Sequence, residues 1–318
     1  MINTAALYLG IDLGGTKIEA QLLDKTGDCI WRHRIATPVL TDDRDQCYQE
    51  VLQRINTLVS EGRDIAAGRV MCIGLAAPGS QVPGSDIMQN CNSTCLNGRR
   101  LQHDLQQLVG APIRLANDAD CMLLSEVFDG AAADVCHQKA TSTAVFGVIL
   151  GTGVGGAIAV DRRLLSGPNG IMGEWGHNRV PVLAGHNMGR NCYCGATDCI
   201  ETHLSGVGLA TTYRLQAPEG EALLDARAIA TSDSALCLQV MDQYYEMLAA
   251  CLAGVINIID PAKIVFAGGT SRLPNLVPEL EQRIGRYIFS SHLRTAFVLS
   301  QHGDASGARG AAWLWRDH

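Results

Sequence analysis

The sequence predicts an α/β protein of two domains built on one plan, and three observations carry that expectation. The segments LGIDLGGTKIEAQLLD (9–24) and VILGTGVGGAIAVD (148–161) each read as a strand, a glycine-rich turn and a returning strand. The apolar runs VMCIGLAA (70–77) and KIVFAGG (263–269) read as buried strands. Amphipathic helical patterns fall between them. A length of 318 residues suffices for one large domain or two ordinary ones. The division is placed at a small N-terminal α/β domain, 1–118, and a larger one, 119–302. The final helix, about 303–318, is expected to pack back on the first domain.

Taken in order, ALYLGID (6–12), KIEAQLLD (17–24) and CIWRHR (29–34) read as strands. The first glycine loop therefore joins two antiparallel strands. Rossmann and Walker A loops join a strand to a helix, so neither motif is present. Tyr48, Val51, Leu52, Ile55, Leu58 and Val59 mark one face of a helix, with Thr41 or Asp42 as its cap. Pro78-Gly79 end the 70–77 strand. The polar stretch 86–98, with NCNSTCLNG, is expected outside the core. A short helix at 101–109, a strand at 112–116 ending in Asn117-Asp118, and a helix at 119–132 follow. The second half gives strands at 142–150 and 157–161, with Arg162-Arg163 opening a turn to a third. It continues with a helix at 235–258, a strand at 263–269, a helix near 274–288, and a Gly-rich turn into the last helix.

The composition, 47% hydrophobic and 18% charged, is that of a soluble globular chain with an ample core. A net charge of −7 argues against nucleic-acid or anionic-membrane partners. No apolar run reaches the roughly 18 residues that span a bilayer, and the N-terminus lacks a basic signal-peptide region. Of the twelve cysteines, most (Cys72, Cys121, Cys237, Cys251) read as small buried hydrophobes. A reducing cytoplasm is the expected compartment.

Six stretches carry chemistry. Gly14 and Gly15 let backbone N–H groups approach an anion, Thr16 and Lys17 add a hydroxyl and a cation, and Asp12 could hold Mg²⁺. Alone, the same residues would make an ordinary hairpin. Gly151, Thr152, Gly153, Gly155 and Gly156 form a second loop of this kind, and two such loops suit a triphosphate. Gly268-Gly269 end a buried strand, where they could admit an adenosine or simply turn the chain. Asp118, at a strand's C-terminal end beside Asn117, is placed for a general base, although Asn-Asp also caps helices. His177, Cys192, Cys194 and Cys199, in Gly173–Glu201, offer four ligands to one tetrahedral zinc; a cysteine-rich turn is the alternative. Asn92, Glu174 and Glu201 could take sugar hydroxyls or face solvent.

DLGGTK, LANDAD, GTGVGG, GEWGH and CYCGATDCIE, in this order and nearly from end to end, resemble the ROK family of repressors, open reading frames and kinases. The resemblance implies the actin-like, ribonuclease H-type fold with an inserted zinc-binding loop at 173–201. It implies ATP and Mg²⁺ at the two glycine loops, with Gly268-Gly269 on the nucleotide side. It makes Asp118 the catalytic base and Asn117, Glu174, His177 and Glu201 sugar-hydroxyl ligands, with Asn92 and Gly79 in the sugar-side loops. It makes His177, Cys192, Cys194 and Cys199 a structural zinc site, and it suggests a homodimer. Asp198 stands where the family usually has glycine.

Within the family, the NST segment, GEWGHN and the ending HGDASGxRGAAWLW are most similar to bacterial fructokinases of the manno(fructo)kinase kind. The expected reaction is transfer from ATP to the 6-hydroxyl of fructose, with mannose as a further acceptor. The alternatives are an N-acetylglucosamine kinase or a glucokinase. A sugar-responsive repressor is disfavoured, because the first motif begins by residue 9 and leaves no DNA-binding module before it.

Overall fold

The structure, a computed structural model, describes residues 6–39, 41, 43–135, 143–186 and 188–316. In chain order it holds β1 (Leu7–Leu13), β2 (Lys17–Leu23), β3 (Cys29–Ala36), α1 (Arg44–Ala66), β4 (Met71–Ala77), β5 (Ser80–Gln81), β6 (Met88–Gln89), α2 (Leu101–Val109), β7 (Ile113–Asn117) and α3 (Asp118–Asp129). There follow β8 (Ala144–Leu150), β9 (Val154–Val160), β10 (Arg163–Leu164), α4 (Ile200–Leu204), α5 (Gly206–Gln216), α6 (Ala226–Thr231), α7 (Ala235–Ile259), β11 (Lys263–Ala267), α8 (Leu276–Arg283), β12 (Ala296–Leu299) and α9 (Ser306–Trp313). Two compact units result: 1–133 with 162–172 and 304–318, and 134–161 with 173–303. The first unit runs past the expected boundary at residue 118, because α3 packs along α9.

The first unit's sheet has the order β3-β2-β1-β4-β7. β1 pairs antiparallel with β2 and parallel with β4, and β4 pairs parallel with β7. Period-two alternation explains its two faces. Leu7, Leu9, Ile11 and Leu13 point into a core shared with Tyr48, Val51, Ile55 and Leu58 of α1 and with Leu101 and Leu105 of α2. The even positions face α9. Tyr8 meets Trp313 edge-on at 5.6 Å between centroids. A Cβ on Gly10 would lie 1.8 Å from the Ala308 carbonyl oxygen, so only glycine lets this helix lie on the sheet.

The second unit orders its strands β9-β8-β11-β12, with β8–β9 antiparallel and the other pairs parallel. That matches β2-β1-β4-β7 and confirms the internal duplication. Its core gathers Phe146, Val148, Phe266 and Leu252 with Leu209 and Leu280.

Several expectations shift. The α1 cap is Asp43, whose carboxylate accepts the Gln46 N–H; Asp42 and Ser142 lie outside the described residues. The 86–98 stretch is not outside the core: Met88, Cys91, Cys95 and Leu96 are buried in it. The helix near 274–288 is α8 followed by a 3₁₀ turn, Ile284–Arg286. Three helices (α4, α5 and α6) and β12 were not anticipated. Gly206, Gly208 and paired threonines dilute the helical pattern of α5, and β12 has only four residues. No helix among the described residues is long and apolar enough to cross a membrane.

Candidate active site

In the first unit the hairpin Leu13–Lys17 is closed by the Gly14 N–H on the Lys17 carbonyl at 3.0 Å. Thr37 Oγ1 donates to the Gly14 carbonyl at 2.7 Å. Gly15 and Thr16 are exposed, so their polar groups are open to an anion. Lys17 Nζ reaches Asp304 Oδ2 at 3.5 Å, an exposed pair of little energetic weight. Asp12 ends β1 against the first turn of α9, where a Cβ on Gly307 would fall 2.6 Å from its Oδ2. Its pKa is raised to about 7, by desolvation first, then by the charges of Asp118 and Glu19, with Lys17 and Arg34 opposing. Two neighbouring carboxylates held so are a fitting seat for Mg²⁺.

Asp118 opens α3. Its side chain reaches solvent, and its Oδ1 accepts the Ala119 N–H at 2.8 Å. Protein crowded around it weakens its hydration, and this desolvation pushes its pKa up, opposed by the Ala119 N–H. Asn117 caps α3 through Oδ1 on the same N–H and donates Nδ2 to the Gly79 carbonyl at 2.8 Å. Its amide thus ties the Gly79 turn to the start of α3, beside Asp118. Gly79, at φ 77°, has no room for a side chain, since a Cβ would meet the Gln89 carbonyl at 2.4 Å. Asn92 is exposed. Its loop is pinned by Asn97, a residue the sequence reading passed over, which accepts the Cys91 N–H and donates to the Cys91 carbonyl.

In the second unit, Gly151 and Thr152 stand before β9, whereas Gly155 and Gly156 lie within it. The two latter glycines pack against Trp175: its Nε1 donates to the Gly155 carbonyl at 2.8 Å, and a Cβ on Gly156 would meet its ring at 2.8 Å. The loop is framed from three sides. Gly206 N–H and Thr270 Oγ1 both reach the Gly151 carbonyl, at 2.7 and 3.3 Å. Glu201 Oε2 accepts the Val154 N–H at 2.9 Å. Gly268, at φ 89°, lies so close that a Cβ would sit 2.3 Å from the Leu150 oxygen. The second loop, Gly268-Gly269 and Glu201 are therefore one constellation.

The GEWGH segment lies directly on β9, because Gly173 and Gly176 permit it. Cβ atoms there would fall 2.2 Å from the Gly156 oxygen and 2.1 Å from the Val154 oxygen. The buried Trp175 anchors the turn edge-on against Phe146, leaving Glu174 exposed and His177 half-buried.

The candidate ligand atoms of His177, Cys192, Cys194 and Cys199 all lie within 4.8 Å of one another. Cys194 Sγ and Cys199 Sγ are 3.6 Å apart, and Cys192 Sγ is 3.6 Å from His177 Nδ1. Tetrahedral zinc, with Zn–S near 2.3 Å, sets neighbouring sulfurs about 3.7 Å apart, so the donor set and spacing fit that ion. The thiols are unequal. The Ala196 N–H and then Cys192 hold Cys194 down to about 7, whereas desolvation and then its thiol neighbours push Cys199 up to about 12. Asp198, at φ 58°, uses the carboxylate a glycine lacks: it accepts the N–H groups of Gly189 and Arg190 and faces His203 Nε2 at 3.2 Å.

Tyr193 stands between two of the cysteines. Its hydroxyl lies 3.1 Å from His177 Nε2. Nothing in the pattern Cys-x-Cys announces what x touches.

Two units of one topology, each presenting a glycine hairpin, with an acid at a strand end of the first, define the actin-like ATPase class of α/β proteins. The ROK family model matches residues 8–318, and the chain belongs to that family. It is 35% identical over 319 residues to N-acetyl-D-glucosamine kinase of Escherichia coli O6:H1, covering 97% of this chain and 99% of that one. Among solved structures it is similar to the ROK hexokinase of Thermus thermophilus, at 25% identity and TM-score 0.78 over 96% of each chain. A ROK glucokinase of Streptomyces griseus, solved with glucose and AMPPNP, shares the fold at 23% identity and TM-score 0.72, over 97% of this chain and 98% of that one.

Proposed function

We propose that this chain is an ATP-dependent sugar kinase that phosphorylates the primary hydroxyl of N-acetylglucosamine. The similarity that carries this acceptor is the full-length match to the Escherichia coli N-acetyl-D-glucosamine kinase. It favours N-acetylglucosamine over the fructose expected from the NST segment, GEWGHN and the ending HGDASGxRGAAWLW, which stand on fructose's side.

In this reading Asp118 takes the proton of the attacking hydroxyl. The sugar's other hydroxyls are held by Asn92, Glu174, His177 and Glu201, while Asn117 and Gly79 fix the base and the sugar-side turn. In the first unit the Gly15 N–H, Thr16 and Lys17 would meet phosphate, with the Gly14 N–H closing the turn on the Lys17 carbonyl; in the second the Gly153 N–H and Thr152 would, with the Gly151 N–H closing the turn on the Gly153 carbonyl, and Gly268-Gly269 would lie toward the nucleoside. Mg²⁺, seated at Asp12, would neutralise phosphate charge. Zinc on His177, Cys192, Cys194 and Cys199 would supply a rigid anchor with all four positions filled by protein. His177 Nδ1 faces the sulfurs, so Nε2 is the nitrogen that donates outward. Phosphoryl transfer rests mainly on positioning and charge neutralisation. A coupled ADP-release assay with N-acetylglucosamine, fructose, mannose and glucose tests the assignment. The highest kcat/KM is expected with N-acetylglucosamine, and a clear preference for fructose overturns it.

A further inference from the structure

His177 is held at both ring nitrogens. Nδ1 looks at Cys192 Sγ, and Nε2 looks at the Tyr193 hydroxyl, 3.1 Å away. The two rings meet edge to face, with centroids 5.3 Å apart at 89°. The Tyr193 backbone is fixed, because its chain neighbours Cys192 and Cys194 both belong to the thiol cluster. Its side chain is not fixed: Tyr193 is 74% exposed. Turning it about χ1 loses one hydrogen bond and one ring contact but little buried surface. It also has somewhere to act. With Glu201, Thr152, Arg190 and Ser205 it lines a cavity of about 400 Å³ bounded by a carboxylate and the second glycine loop; His177 itself is not part of that lining.

We propose that Tyr193 is a movable cap on His177 that sets the affinity for the acceptor sugar. In the free enzyme its hydroxyl occupies the donor position of Nε2. On binding, a sugar hydroxyl takes that donor and the phenol turns aside. The inference rests on the sugar-kinase reading and on His177 as a hydroxyl ligand. The cap serves two ends. It keeps a polar nitrogen satisfied when the site is empty, and it makes sugar affinity the difference between two hydrogen bonds rather than the whole of one.

Titration calorimetry with N-acetylglucosamine, fructose and AMPPNP tests this on the zinc-loaded full chain and on Tyr193→Phe, which keeps the ring and loses the hydroxyl. A neutral hydrogen bond of ordinary net strength predicts that the variant binds its sugar ~2–10-fold more tightly. Its AMPPNP affinity, zinc content and melting temperature should match the wild type. Equal sugar affinity in both proteins overturns the cap, because the hydroxyl would then not compete. Weaker binding by the variant also overturns it, because the hydroxyl would then be a sugar contact. If the wild type binds no hexose at all, the kinase reading falls and the cap with it. If the wild type binds and Tyr193→Phe matches it, the cap alone falls. Tyr193→Ala, with intact zinc content as the control for the loop, should tighten sugar binding at least as much.

Discussion

Asp198 shows what one side chain does with an unfavourable backbone. A non-glycine residue at φ 58° carries a conformational cost. Here it is offset by two backbone N–H donors and by the imidazole of His203. That contact ties the loop's behaviour to pH. Desolvation, then the charge of Arg190, hold the His203 pKa down to about 4, with Asp198 pulling the other way. The unfolded side chain titrates near 6.5. Between pH 6.5 and 4 the unfolded chain binds a proton that the folded chain refuses, so stability falls as pH falls and the loss levels off below about 4. The contribution is on the order of 3 kcal/mol across the window. Urea midpoints of the zinc-loaded protein at pH 7, 5.5 and 4.5 should decline, and His203→Gln should flatten the decline. An unchanged slope in that variant would remove His203 from the account. Asp12 runs the other way. Its carboxyl is raised to about 7 from 3.8, so it costs stability as pH rises from 4 through 7. Without Mg²⁺, Asp12→Asn should therefore melt higher than wild type at pH 8; an equal or lower melting temperature contradicts the crowding of these carboxylates.

At the scale of elements, α9 organises the first unit. Its Ala308, Ala311 and Gly310 fit against Gly10, Gly74 and the Cys121 carbonyl with no space for larger groups. Trp313 is fully buried, and its Nε1 donates to Asp129, which Arg309 also grips through two nitrogens. Trp313→Ala should cost about 3–5 kcal/mol in urea unfolding, whereas Phe289→Ala, at a residue 99% exposed, should stay within about 0.5 kcal/mol. Comparable losses from both would contradict this packing. Little of it was legible in the sequence. The alternation in β1 and the heptad-like face of α1 gave those elements and their buried sides, because periodicity is local. The stripe of small residues in α9 reads as weakly hydrophobic, and its partners Gly10 and Gly74 lie far away in the chain. The same reason explains Cys91 and Cys95: a polar-looking segment reached the core because Asn97 consumed its backbone groups.

At the scale of the whole molecule, the candidate site residues divide between two units of one topology, and the division implies separable defects. The duplication was readable because both copies keep strand, glycine turn and returning strand. The surroundings of residues near the turns were less so: Gly155 and Gly156 look like loop glycines but lie in β9 against Trp175, and the Asn117 amide bonds the Gly79 carbonyl and the Ala119 N–H. Asp118 in the first unit is paired with no cation among the described residues and has a raised pKa, in keeping with the base proposed for it. Glu201 in the second is tied by one oxygen to the Val154 N–H, as a positioned hydroxyl acceptor should be. Asp118→Asn should accordingly lower kcat by ~10²–10⁴-fold while leaving the sugar Kd within a few fold. Glu201→Gln keeps the size but loses the charge, so it should raise the sugar Kd by ~10-fold or more, in line with a charged hydrogen bond. Steady-state kinetics paired with calorimetry separate the two defects. A wild-type kcat in Asp118→Asn would deny it the role of base, and an unchanged sugar Kd in Glu201→Gln would confine that carboxylate to holding the glycine loop.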